Sequence, residues 1–174
     1  RRGVAVTLVN LGDLALERDE TATAASCFEE ALDVAAAVEA AVVHGAALSG
    51  LGRVATGRGD LARAEAYHRE RLAVDDSPRS VAVTERYLGD VAVERGDLGA
   101  ARSHYETAAE RFVDLGATDR AAAAALEFVE ASAEAGETAD ARRWVDRVLD
   151  LTDEADLAEH REAATGWVER LASE

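Results

Sequence analysis

The chain has 174 residues and a net charge of −16, with 35 Asp and Glu set against 19 basic residues, every one of them Arg. That balance opposes direct nucleic-acid binding, which needs clustered cations to displace counterions, and it equally opposes an anionic membrane surface. Hydrophobic residues reach 48% while aromatics are only 5%, so the core is built from Ala, Val and Leu and suits close-packed helices better than sheets.

The residues that are missing sharpen this. Lys, Ile, Gln and Met are absent, Asn10 is the single Asn, and Pro78 the single Pro. Together with the acidic balance this reads as a halophilic, salt-adapted cytoplasmic protein from a GC-rich genome. No apolar run approaches the roughly 20 residues that span a bilayer. The start, RRGVAV, lacks the apolar core of a signal peptide, and its missing Met reads as a fragment of a larger protein. Cys27 is the one cysteine. It rules out an internal disulfide, fits a reducing compartment, and is expected to be a buried structural thiol.

An internal repeat governs the order of elements. Glycine recurs at Gly12, Gly52 and Gly89, with Val129 in the fourth register, and a small residue recurs at Ala24, Ala64, Ala101 and Ala141. Both series step by 40, 37 and 40 residues. Two landmarks keeping one rhythm predict four stacked helical hairpins. The first unit, over 3–38, carries Leu8, Leu11 and Gly12 on its first helix and Ala24, Phe28, Ala31 and Leu32 on its second. Asp19-Glu20-Thr21 stands at its turn, where Asp and Thr are expected to cap the second helix.

The second unit, over 41–77, has Leu48, Leu51 and Gly52, then a Gly59-Asp60-Leu61 turn, then Ala64 and Leu72. His68 and Arg71 stand where an aromatic and a small residue are expected, and they predict a snorkelling pair at the edge of the repeat. Pro78, in DDSPRS, opens the first helix of the third unit, which covers 79–115. From Tyr87 to Ala109 this unit reads YLGDVAVERGDLGAARSHYETAA. Gly89, Ala101 and Ala108 let two antiparallel helices approach closely, and Tyr105 fills the space beside them.

Gly116 is the expected C-cap of that unit, and Thr118 or Asp119 the N-cap of the next. In the fourth unit, 118–152, Gly136 marks the turn and Ala141 the second helix. Phe128-Val129 replaces Leu-Gly there, and Val145 and Val148 replace an aromatic and Ala, so these two helices are expected to sit slightly further apart. A last amphipathic helix over 154–172 places Leu157, Ala164, Val168 and Leu171 on one face and Asp156, Glu159, Glu162 and Glu169 elsewhere, as a capping helix requires. The expectation is nine helices and no sheet in a single domain over 1–174.

The Leu88-Gly89, Gly96-Asp97-Leu98 and Ala101, Tyr105, Ala108 set resembles the tetratricopeptide repeat (TPR), and the pattern recurs over almost the whole chain. At about 40 residues the units are elongated against the usual 34 or so. The resemblance implies an all-α, right-handed α-α superhelix and a non-catalytic scaffold for protein–protein interaction. Its first helices would line a concave groove that holds a peptide or a partner's helix. By register the groove residues would be Val9, Asn10 and Asp13, then Ser49 and Arg53, then Arg86 and Asp90, then Leu126 and Glu130. Glu17, Glu94 and Glu134 lie one helical turn further along.

The Lys and Asn that hold a chaperone's C-terminal carboxylate in one TPR subtype are missing, Asn10 apart. The acidic ends point to a basic or polar partner, and the central Arg53 and Arg86 to a ligand carboxylate. A peptide-sensing region of a transcription regulator and a self-associating, homo-oligomeric module are the competing readings.

Motifs for chemistry are few. Arg58-Gly59-Asp60 and Arg95-Gly96-Asp97 are inter-helix turns rather than adhesion signals, and Gly57-Arg58-Gly59 lacks the strand a dinucleotide fingerprint needs. His44, His68, His104 and His160 form no i, i+4 pair, and a phosphate-binding loop of the GxxxxGK[ST] type is impossible without Lys. The expectation is no enzyme, no metal and no cofactor.

Overall fold

The structure, a computed structural model, describes residues 1–153 and 157–172. Among these residues it contains nine α-helices and no strand: α1 (Arg2–Glu17), α2 (Thr21–Ala37), α3 (Ala41–Gly57), α4 (Leu61–Val74), α5 (Pro78–Glu94), α6 (Leu98–Asp114), α7 (Thr118–Glu134), α8 (Thr138–Asp153) and α9 (Ala158–Ala172). Successive helices form hairpins, and the second helix of each hairpin also packs on the first helix of the next. The result is an all-α solenoid. Along the stack α1 meets α3, α3 meets α5 and α7 meets α9, whereas among the described residues no second helix packs substantially on the following second helix. The first helices therefore form the inner side of the stack.

Turn chemistry sets the hairpins. Gly59, Gly96 and Gly136 adopt φ of +74°, +75° and +79°, a left-handed conformation that glycine enters without a Cβ penalty. Asp60 and Asp97 follow two of them and accept the backbone N–H of Arg63 and Ala100, satisfying an orphan donor of the next helix. The first hairpin differs from expectation. Asp19 itself takes the left-handed place at φ +59°, and α2 begins without a side-chain cap. Asp is one of the few residues that tolerate that conformation.

Thr118 and Asp119 likewise do not cap α7; Ala117 precedes it without a side-chain bond, and Asp119 lies inside the first turn where the helix dipole favours it. Gly116 ends α6 as expected, at φ +67°. Its N–H and that of Ala117 reach back to the carbonyls of Val113 and Phe112 at 2.9 and 2.8 Å. Ser77 accepts from the Ser80 N–H, with Pro78 at the head of α5.

The core is organised by rings set against glycines. A Cβ on Gly12 would come within 2.6 Å of the Phe28 ring, and one on Gly50 would come closer still. Phe28 is thus clamped between α1 and α3. Gly89 faces Tyr105 in the same way, with a Cβ reaching 2.9 Å. In the second unit Gly52 faces His68, which corrects the snorkelling expectation: His68 is 1% exposed and is the ring of its repeat. It stacks on Tyr87 with centroids 5.2 Å apart, and neither ring nitrogen has a hydrogen-bond partner. Arg71 does not snorkel either. Its Nε donates to Ser80 Oγ at 2.9 Å and its guanidinium also donates to Ser49.

In the fourth unit Val129 and Val145, both buried, replace the glycine and ring. Phe128 moves the aromatic contact to Tyr105 and Trp144, with centroids 5.9 and 4.9 Å away. Cys27 is half-buried rather than buried. On α9, Ala164 and Leu171 are buried, but Val168 is 45% exposed and lies off the packed face. The expected start of this helix at 154–156, Asp156 included, falls outside the described residues.

Two outcomes test this core. Gly→Ala in a helix normally stabilises by about 1 kcal/mol, yet Gly50→Ala is expected to destabilise by about 1–3 kcal/mol because Phe28, held from both sides, has nowhere to move; urea unfolding reads the difference. For His68, burial, reinforced by Arg71 and Arg86, pushes the imidazole down to about 4. The unfolded chain takes up a proton as pH falls through about 6.5 while the folded chain refuses it until about 4, so stability is lost across that window by about 3 kcal/mol. His68→Phe should remove this slope: the stability difference between variant and parent grows by that amount from pH 7 to pH 4. Parallel pH profiles would show that the ring is not held neutral.

Candidate functional site

The inner face is read most simply as rows. Asp13, Arg53, Asp90 and Glu130 share one register on α1, α3, α5 and α7, and Val9, Ser49, Arg86 and Leu126 share another. Arg53 donates to Asp13 across the α1–α3 step at 2.7 Å. Arg86 donates to Glu127 Oε1 across the α5–α7 step at 2.5 Å and lies over the Tyr87 ring, 4.4 Å from its centroid. The Tyr105 hydroxyl donates to Asp90 at 2.5 Å. α5 and α7 make little direct backbone contact, so Arg86 and Glu127 span the space between them. A depression beside that pair is lined by Val83, Tyr87, Phe112 and Arg120.

These side chains hold charge in partly desolvated surroundings. Burial raises the Asp90 carboxyl, opposed by the Tyr105 hydrogen bond and by Arg86 and Arg53. Burial also pushes Glu127 up to about 7; Arg86 pulls it down, and the nearby Asp90 pushes it further up. Glu127 Oε2 has no hydrogen-bond partner. The Tyr105 hydroxyl is raised by burial and by the Asp90 charge, so it stays a proton donor.

The predicted groove residues thus fall into three groups. Asn10 and Glu130 are exposed, as are Glu17, Glu94 and Glu134, and Leu126 is half-buried. Val9 and Ser49 are buried; they pack between helices, and Ser49 accepts from Arg71. Asp13, Arg53, Arg86 and Asp90 are engaged with other residues of the protein. Sequence reasoning missed Glu127 and Tyr87 as members of this face, and the hydrogen bond that the buried Tyr105 of α6 donates to Asp90. Glu127 stands 41 residues after Arg86, one beyond the repeat step, and that offset of opposite charges was the available signal.

Stacked helical hairpins with ring-to-glycine contacts and first helices along one side define a helical-repeat solenoid. Two family models, both described as Tetratricopeptide repeat, match residues 3–77 and 88–156. The chain belongs to the tetratricopeptide repeat family. Repeats of this family generally mediate protein–protein interaction and scaffolding. The fold is similar to the crystal structure of BtubC (BKLC) from P. vanneervenii, with a TM-score of 0.73 at 17% identity, covering 99% of this chain and 80% of that one. No curated protein matches the chain. Among the described residues no helix is long and apolar enough to cross a membrane.

Glu127 gives a test of the site's electrostatics. Its folded-state value lies above the unfolded one, so its contribution to stability is fully present below about 4.5 and is lost as pH rises through about 7. Glu127→Gln is expected to melt higher than the parent at pH 8, with the gap closing toward pH 4. A variant that melts lower at pH 8 would show that the ion pair with Arg86 outweighs burial.

Proposed function

We propose that this chain is a non-catalytic interaction module that takes a basic or polar peptide segment, or a partner's helix, along the face of its first helices. One observation carries the reading: the two central guanidiniums on that face, Arg53 and Arg86, are already paired with Asp13 and Glu127, so that Arg120 beside the depression stands against the exposed Glu17, Glu94, Glu130 and Glu134. The charge open to a ligand is therefore negative. A ligand carboxylate would have to displace an internal carboxylate from either Arg, and it would meet four exposed acids on the way.

Apolar contact at the half-buried Leu126 and direct hydrogen bonds supply specificity at high salt, where the Debye length falls to about 3 Å at 1 M. Capture of partners from native lysate tests the reading. Glu94→Arg, Glu130→Arg and Glu134→Arg together change exposed residues outside the internal pairs, so helical content and melting should stay as in the parent. Partner capture should fall by about tenfold or more, since like charges across an interface cost several kcal/mol. Unchanged capture by the folded triple variant overturns the reading.

A further inference from the structure

We propose that the outer face of α1 is an internal repeat interface, covered by the second helix of a further hairpin that the same polypeptide carries on its N-terminal side. The side chains of α1 carry this. Leu11 and Leu14 are 48% and 40% exposed, and with Thr7 and Val4 they form one stripe, because residues 4, 7, 11 and 14 fall on one side of a helix. Their register partners one repeat on are buried: Leu51 and Val54 are 4% and 3% exposed. On α5 the partners are the half-buried Leu88 and the buried Val91, and on α7 the buried Phe128 and Ala131.

In each of those cases the cover is the second helix of the preceding hairpin. α2 packs on α3, α4 on α5 and α6 on α7. Leu51 and Val54 belong to one cluster with Ala24, Ala25 and Phe28 of α2, and Val91 to one with Ala64 of α4. Three repetitions of one interface in this molecule thus specify what fits the fourth copy of the surface. The occupant is an amphipathic helix with a ring at the centre of an alanine-rich face, joined to α1 by a short link such as the three residues between α2 and α3. Its ring would stand beside Asn10, where Phe28 stands beside Gly50 and His68 beside Tyr87.

A second copy of the chain does not supply such a helix. α2, α4, α6 and α8 are each already seated on the first helix that follows. The opposite end is finished differently: α9 turns Glu159, Arg161, Glu162 and Glu169 outward, the polar outer face that an end of a solenoid needs for solubility. α1 presents leucines instead.

Thiol labelling tests the proposal independently of any groove ligand. In a Cys27→Ser background, Leu11→Cys should react at the rate of an exposed thiol in the 174-residue chain. In the natural full-length polypeptide it should react about tenfold more slowly or less, because modification then waits on local opening. Leu51→Cys, slow in both, calibrates the assay. Equal fast labelling of Leu11→Cys in both proteins overturns the proposal. So does protection in the 174-residue chain that grows with protein concentration, which would identify a second copy as the cover. As a check separate from the thiol, Leu11→Asp with Leu14→Asp should lower the melting of the full-length protein clearly more than that of the 174-residue chain, where both side chains are already about half-exposed; an equal effect on both overturns the proposal as well.

Discussion

A flat ring laid against a glycine is the contact on which this stack depends. Removing the Cβ at Gly12, Gly50, Gly52 and Gly89 lets first helices approach the rings of Phe28, His68 and Tyr105 more closely than any side chain would permit. Helix axes normally stand 8–10 Å apart, at a distance set by the residues at the contact. Phe28 shows why this matters beyond its own hairpin: the same ring fills the space over Gly12 in α1 and Gly50 in α3. One side chain therefore closes a hairpin and seats the next. In a solenoid, where each unit touches only its neighbours, such shared residues make the units fold together. An alanine-rich core suits the scheme, since most of the close approach comes from what is absent.

His68 shows the limit of the device. An imidazole has the required flatness, and it stacks on Tyr87 as a hydrocarbon ring would. Yet both of its nitrogens are buried without partners, and an unmet buried polar group costs about 1–3 kcal/mol. Shape is satisfied and polarity is not. The same tension made this residue hard to read in the sequence, where a histidine followed by Arg71 looks like a wet edge. The helices themselves were legible because Gly12, Gly52 and Gly89 and the Ala series repeat in step, which fixes hairpins regardless of local propensity. Caps were less so. Whether a polar residue caps a helix or adopts the left-handed turn depends on its place in a three-residue link; Asp60 and Asp97 follow a glycine and cap, while Asp19 takes the glycine's place.

The inner face divides along a similar line. Register alone placed Asp13, Arg53, Asp90 and Glu130 on one row, and the structure keeps them on the first helices. Register could not say which charges face solvent. Arg53 and Arg86 look like free guanidiniums when each repeat is read by itself; they are paired once adjacent repeats are brought together, at separations of 40 and 41 residues. Opposite charges one repeat apart on neighbouring first helices are more economically read as ties between repeats than as ligand contacts. The residues that stay open, Asn10, Glu94, Glu130 and Glu134, lack such a partner at that spacing.

These ties differ from the rings in what they contribute. Arg53 and Asp13 are partly exposed, and pairs of that kind are worth about 0–1 kcal/mol. Arg86 and Glu127 are more enclosed, but Glu127 leaves one oxygen unmet, so the cost of desolvation offsets much of the attraction. On the outer side Arg102–Asp140 and Arg147–Glu106 link α6 to α8 at 3.2 and 3.6 Å, again as partly exposed pairs. Stability therefore resides in ring, glycine and alanine contacts between helices, and the ion pairs mainly fix how one repeat is aligned on the next. Because Arg53 and Arg86 are engaged in that alignment, the exposed charge of the first helices at Glu17, Glu94, Glu130 and Glu134 is carboxylate, a balance that follows from how the repeats are held in register.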